Sequence, residues 1–255
     1  MKIIPLSEGA FTIDTTKQFI PFNLLTDNLQ SRKGGSLLVE IQPFLVITSR
    51  DVLLLDTGLG FLNEEGVLQL HVSLAANGIN ASDVTKVLLT HLHKDHAGGI
   101  SFHTNQLSRS VSFENATYFI NGAEFDFALL KSSPSYKVEN FQILANSDKV
   151  SFTSNNGMID DYIKYEVTGG HSPYHQVFWI TENNETIFFG GDVAPQLQQM
   201  KRRFMAKYDY DGRKSMELRE QWWNLGEKEG WTFLFYHDLQ NPVFKFPSIK
   251  KIGLP

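Results

Sequence analysis

Apolar residues in the first half of the chain fall in short runs rich in β-branched and large aliphatic side chains. Ser36–Thr48 (SLLVEIQPFLVIT) and Val52–Asp56 (VLLLD) read as strands, and Ser49-Arg50-Asp51 between them predicts a hairpin. Between Glu64 and Asn77 the spacing changes. Val67, Leu70 and Leu74 stand three and four apart, which predicts a helix closed by Gly78. Lys86–Thr90 (KVLLT) is a short buried strand running straight into the polar stretch HLHKDHAGG.

The second half continues the alternation. Thr117–Ile120 predicts a strand, Gly122–Lys131 a helix and Ser132-Ser133-Pro134-Ser135 a loop. Tyr162–Thr168, His175–Thr181 and Thr186–Phe189 predict strands, the last two joined by a turn at Glu182-Asn183-Asn184. Ser215–Lys228 predicts a helix whose apolar side holds Met216, Leu218, Trp222, Trp223 and Leu225, with Gly226 and Gly230 near its end. Thr232–Tyr236 (TFLFY) predicts a last buried strand. Helices interspersed among many strands imply an α/β layered protein with strand-end loops available for chemistry. No repeat, low-complexity stretch or Pro/Gly/Ser linker divides residues 1–255, so one domain is expected.

Composition narrows the function. The 255 residues are 42% hydrophobic and 20% charged, an ordinary globular balance. Basic residues number 23 against 28 acidic, which argues against a protein held to nucleic acid by phosphate contacts. The chain has no Cys, which excludes disulfide scaffolds, iron–sulfur sites and thiol catalysis. Apolar runs such as Leu53–Leu55 and Val87–Leu89 are too short to span a bilayer, and MKIIPLSEGAF lacks the apolar core of a signal peptide. A cytoplasmic protein without a membrane partner is expected.

Of eight histidines, His91, His93 and His96 crowd into six residues with Asp95. Gathering three imidazoles and a carboxylate on one tight loop is costly unless a cation takes their lone pairs, and these donors suit Zn²⁺ and similar ions. His91 and His93, two apart, point the same way in extended backbone. Asp95 and His96, beyond the turn, can face a second point nearby. Ala97-Gly98-Gly99 then gives the backbone freedom to bend.

This loop resembles the HxHxDH signature of the metallo-β-lactamase superfamily. Asp56-Thr57-Gly58 resembles that family's DTG loop, and Gly170-His171-Ser172-Pro173-Tyr174-His175 its GHTPGH segment. Asp192 after a strand and His237 after Thr232–Tyr236 resemble its bridging aspartate and last histidine. The resemblance implies a four-layer αββα sandwich with the site at the sheet edge. It implies one metal on His91, His93 and His171, a second on Asp95, His96 and His237, and Asp192 bridging both. Zn²⁺ is the expected ion, with Mn, Fe or Co accepted by the same donors. It further implies a metal-bridging hydroxide that cleaves a small ester-like substrate such as a lactone, ester or phosphoester, with Asp95 or Asp192 passing a proton to the leaving group.

Within the family, the absent Cys excludes Cys-ligand β-lactamases, and His93 stands where flavodiiron relatives carry Glu. The pattern is closest to lactonases and methyl-parathion-hydrolase-like enzymes. The alternatives are a mononuclear iron persulfide-dioxygenase-like oxidoreductase and a glyoxalase II-like thioester hydrolase. Asp192 is followed by Val193-Ala194-Pro195, so the Tyr that lactonases carry shortly after this aspartate is missing; Tyr174, Tyr208 and Tyr210 are the candidates to replace it. Asp56 is expected to orient a metal-loop imidazole. His175 is expected to support its loop, His71 to pack or face solvent, and His103 has no assigned role. Gln196–Arg213 is either a wall over the site or ordinary interlayer packing, with packing favoured; Asp126–Val138 is a second candidate rim.

Overall fold

A computed structural model describes residues 1–103, 108–131 and 133–246. Ser132, part of the loop expected after the 122–130 helix, lies outside them.

Two six-stranded sheets carry the fold. The first runs, in spatial order, Lys2–Pro5, Phe44–Ile47, Val52–Leu55, Lys86–Leu88, Thr117–Asn121 and Val150–Thr153. The second runs Asn156–Ile159, Ile163–Val167, Gln176–Glu182, Glu185–Phe189, Thr232–Leu234 and Val243–Lys245. The continuous apolar run at 52–55 makes sense in this setting. Successive strand side chains point to opposite faces, and both faces of this sheet are covered. Leu54 joins Leu45, Val87 and Ile120 against the helical residues Leu70, Leu74, Phe125 and Phe141. Leu53 and Leu55 turn the other way and meet Ile163, Phe178, Ile180 and Phe189 of the second sheet. The far face of that sheet, through Val177, Trp179, Phe188 and Phe233, packs on Leu197, Met200 and Trp222. The order helices, sheet, sheet, helices is the expected αββα sandwich.

Parallel pairing sets the location of the chemistry. Val52–Leu55 pairs in parallel with Lys86–Leu88, and Glu185–Phe189 with Thr232–Leu234. The carboxyl ends of each pair therefore emerge side by side. Asp56, the 91–96 loop, Asp192 and His237 all follow such ends.

Several elements differ from the sequence reading. Ser36–Thr48 is two strands, Leu37–Ile41 and Phe44–Ile47, belonging to different sheets. Pro43 has no N–H with which to continue a ladder. Leu37–Ile41 instead pairs with Gly9–Ile13, which pairs with Phe19–Pro21. The hairpin between Phe44–Ile47 and Val52–Leu55 is present.

The first helix begins at Gln69, not Glu64. Before it, Gly66 has φ +78° and Asn63 Oδ1 accepts from Glu65 N and Val67 N, fixing a turn that leaves Val67 exposed. The long helix is Gly212–Glu229, its N-terminus capped by Asp211 accepting from Lys214 N at 2.9 Å. Its buried stripe is Ser215, Arg219, Trp222 and Gly226, while Leu225 is exposed. A Cβ on Gly226 would lie 2.4 Å from the Phe233 ring, so glycine lets the helix sit down on the sheet. Asn183 and Asn184 both take positive φ in the turn at 182–184. Among the described residues no helix is long and apolar enough to cross a membrane.

Candidate metal centre

The 91–96 loop leaves strand Lys86–Leu88 and turns into a single helical turn, Lys94–Ala97. It is held against the Asp56–Gly60 loop backbone to backbone. Thr57 N donates to His96 O at 2.7 Å, and Gly98 N to Gly58 O at 2.8 Å. A Cβ on Gly98 would come within 2.2 Å of the Leu59 carbonyl, and one on Gly99 within 2.2 Å of Thr57 O. These two glycines serve close approach, not the bend expected of them; neither has positive φ.

The structure brings together all seven side chains singled out in the sequence. His91, His93, His171 and Asp192 offer donor atoms within 4.8 Å of one another, and so do Asp95, His96 and His237. His93 Nδ1 is 2.9 Å from His91 Nε2 and 3.1 Å from His171 Nε2. Asp192 Oδ2 is 3.1 Å from His171 Nε2. Its other oxygen, Oδ1, is 3.1 Å from His96 Nε2 and 3.0 Å from His237 Nε2, so the carboxylate stands between the two groups. Asp95 Oδ2 lies 3.7 Å from both His96 Nε2 and His237 Nε2.

The outer hydrogen bonds decide which nitrogens face inward. Asp56 Oδ2 lies 2.7 Å from His96 Nδ1, Asp209 Oδ1 2.9 Å from His171 Nδ1, and the Glu40 carbonyl 2.7 Å from His237 Nδ1. All three oxygens accept, so each Nδ1 carries the proton. Thr90 Oγ1 gives its hydrogen to Asp56, at 2.8 Å, and so accepts from His91 Nδ1 at 3.0 Å. Four Nε2 lone pairs are thereby aimed at one another and at two carboxylates. His96 Nε2 and Asp192 Oδ1 are buried with no hydrogen-bond partner. A cluster of inward lone pairs with a protonated outer rim fits divalent cations.

The electrostatics agree. Burial alone would push the His96 and His237 imidazoles down, yet Asp192 and Asp95 beside both, with Asp56 beside His96, hold them above the ordinary range. The carboxylates demand positive charge at that point. His91 and His93, by contrast, are driven well below the ordinary range by burial and by their imidazole neighbours, and stay neutral donors. Asp192 is buried, but His237, His96 and His171 hold it well below the usual carboxylate range.

The support of the site was only partly visible in the sequence. Asp56 orients His96 as expected; it also accepts Thr90 N at 2.8 Å. His175 sits beneath the loop of Asp192, accepting Asp192 N at 3.2 Å. His71 packs on Phe102 and Phe113 with Nε2 2.9 Å from Ser112 O, and His103 pairs with Arg109, both away from the centre. Sequence reasoning missed Asp209 behind His171. It also missed Glu124, which is fully buried and accepts from Leu92 N, Tyr136 OH and Ser172 Oγ, tying three site segments together. A third omission is Glu8, whose carboxylate accepts Leu59 N at 2.6 Å and whose pKa burial pushes up to about 7.

A cavity of about 820 Å³ opens over the centre, with His93, Asp95, His171, Asp192 and His237 in its floor. Both candidate rims contribute: Phe127, Lys131, Ser133, Ser135 and Tyr136 from one, and Gln196, Gln199, Arg202, Phe204 and Tyr208 from the other. The 196–213 segment is thus a wall, although Met200 within it is packed in the outer core. Tyr174, Tyr208 and Tyr210 all line the cavity, and the Tyr208 ring lies 6.0 Å from that of His171.

The sequence profile of the metallo-beta-lactamase superfamily matches residues 40–104, the stretch from Glu40 through the metal loop. Over that segment the chain is similar to the superfamily. An N-acyl homoserine lactonase, AttM, of Agrobacterium fabrum is 28% identical over 182 residues, covering 65% of this chain and 62% of the relative. The match thus spans less than two thirds of that relative's length. Among solved structures, a probable metal-dependent hydrolase from Staphylococcus aureus superposes with a TM-score of 0.77 at 23% identity, covering 96% of this chain and 91% of the other. AidC, a dizinc quorum-quenching lactonase in complex with N-hexanoyl-L-homoserine product, superposes at 0.67 with 20% identity, covering 94% and 88%.

Proposed function

We propose that this chain is a dinuclear metal-dependent hydrolase of small ester-like molecules. The observation that carries the reading is the inward set of Nε2 lone pairs around Asp192, each made an acceptor by an outer partner. His91, His93 and His171 would hold one ion, Asp95, His96 and His237 the other, and Asp192 would touch both. When bound, two divalent cations supply a nucleophilic water at neutral pH and a Lewis acid for the substrate oxygen.

The chain's own residues do the rest. Asp209 and Asp56 keep His171 and His96 in the tautomer that faces inward. Asp95 or Asp192, both at the cavity floor, would carry a proton to the leaving oxygen. The walls admit a ligand of small-molecule size. Homology to lactonases supports a carboxylic ester or lactone as the substrate class, and Zn²⁺ as the ion.

The test is a panel of lactones, aryl esters and phosphoesters assayed before and after chelation, and again after Zn, Mn, Fe or Co is restored. The reading expects hydrolysis of at least one class, lost with chelator and regained with metal. Turnover that survives chelation, or oxygen uptake with a persulfide in place of hydrolysis, would contradict it.

A further inference from the structure

Among the described residues the centre's carboxylates form no ion pair with the cavity's cations. The acidic side chains lining the cavity are Asp95, Asp192 and Asp209. The first two belong to the proposed metal groups, and Asp209 is buried behind His171. The cations lining it are Lys17, Lys94, Lys131 and Arg202, and among the described residues none of these forms an ion pair. Elsewhere on the chain Lys33, Lys86, Lys164 and Lys245 are each matched to a carboxylate.

Two of the four are half-buried. Lys94, between His93 and Asp95 in the chain, is half-buried and donates from Nζ to the Lys17 carbonyl, and its Nζ lies 5.7 Å from the centre of the Phe19 ring. Lys17, also half-buried, has φ +60°, a conformation that costs a non-glycine residue energy. Its charge is close enough to act on His93 and Lys94. Lys137 and Lys17 act on Lys94 with like charge and Asp95 with opposite charge, so the Lys94 ammonium stands among more positive neighbours than negative ones. The same side of the cavity carries apolar surface from Ile13, Phe19, Leu37 and Val39.

We infer that the substrate is an anionic amphiphile: an ester whose non-scissile part bears a negative charge, received by Lys17 and Lys94, beside an apolar portion laid on Phe19 and Leu37. This rests on the hydrolase reading above. The charge would distinguish this chain's substrate from a neutral ester or lactone of the same size.

The probes are 4-nitrophenyl hexanoate and mono-4-nitrophenyl adipate, which share leaving group and chain length and differ in a terminal carboxylate. The quantity read is the anionic-to-neutral ratio of kcat/KM. In the wild type it is expected to exceed about 10 at low salt and to fall as salt is added, as screened charges require. Lys17→Gln/Lys94→Gln should lower the ratio about tenfold, and Lys17→Arg/Lys94→Arg should largely restore it. A ratio near one in the wild type, or one unchanged in the glutamine variant, overturns the inference. Calorimetric binding of octanesulfonate, a poor metal ligand, separates the two readings. If neither ester is cleaved but octanesulfonate binds and loses about tenfold affinity in the glutamine variant, the hydrolase reading fails and the anion site stands. If esters are cleaved but octanesulfonate binding is absent or indifferent to the lysines, the anion site fails alone.

Discussion

Replacing Asp56 by Asn tests how the centre is held. The two side chains have the same shape, but every donor around Asp56 needs an acceptor. Oδ1 accepts Thr90 N at 2.8 Å; Oδ2 accepts Thr90 Oγ1 at 2.8 Å and His96 Nδ1 at 2.7 Å. An Asn amide must put its NH₂ at one of these points. Placed at Oδ1, it faces the Thr90 N–H and leaves a buried donor unpaired, at a cost of about 1–3 kcal/mol. Placed at Oδ2, it forces His96 to protonate at Nε2, which turns an N–H into the group formed with Asp95 and His237. Changes to the partner of a metal-binding imidazole typically cost about 10–100-fold in metal affinity. The expected result is selective: the ion of the Asp95–His96–His237 group is weakened by that factor, and the ion of the His91–His93–His171 group much less. Competition against a chromophoric chelator resolves two affinities, and a melt reports stability. Equal loss of both ions would refute the tautomer argument, as would retention of both at wild-type affinity.

Other expectations follow from the same contacts. Asp209→Ala removes the acceptor of His171 Nδ1 and should weaken the other ion, about 10–100-fold, in the same competition assay. Gly98→Ala forces a Cβ to within 2.2 Å of the Leu59 carbonyl, and because backbone must move it should lower stability in a urea titration by about 1–3 kcal/mol. Arg219→Lys cannot span both carbonyls that Arg219 joins, those of Val193 and Phe204, so it should cost about 1–3 kcal/mol and speed proteolysis within residues 201–208. Glu8 has a folded-state pKa of about 7, above its ordinary 4.5, chiefly through burial. Between those pH values the folded chain holds the proton more tightly than the unfolded chain, so stability falls as pH rises from 4.5 to 7 and then levels. Glu8→Gln should abolish that slope, worth at most about 3 kcal/mol, in urea titrations of chelator-treated protein.

The site was more legible than the fold around it. His91, His93, Asp95 and His96 are neighbours in the chain, and His171, Asp192 and His237 each follow or interrupt a strong strand signal, so their chemistry stood out. Asp209, Glu124 and the Glu40 carbonyl did not. Each acts on a residue 38, 32 or 197 positions away, and nothing in its own neighbourhood distinguishes it from a surface or strand residue. The break at Pro43 was legible in principle, since a residue without an N–H interrupts a ladder. The apolar letters on both sides hid it. The buried face of the 212–229 helix is hidden for a related reason: Arg219 and Ser215 are buried by carbonyls and glycines of other segments, which hydropathy does not register. The short strands at the N-terminus and at 150–159 are defined by their sheet partners more than by their own composition.

The central claim is that the inward lone pairs of His91, His93, His171, His96 and His237, with Asp95 and Asp192, surround two cations. Crystals of protein purified without chelator, measured on both sides of the Zn, Mn, Fe and Co edges, test it most directly. The account predicts two anomalous peaks per chain, one on each group, with Asp192 touching both. No peak at the centre, or one ion bound without Asp192, would contradict it.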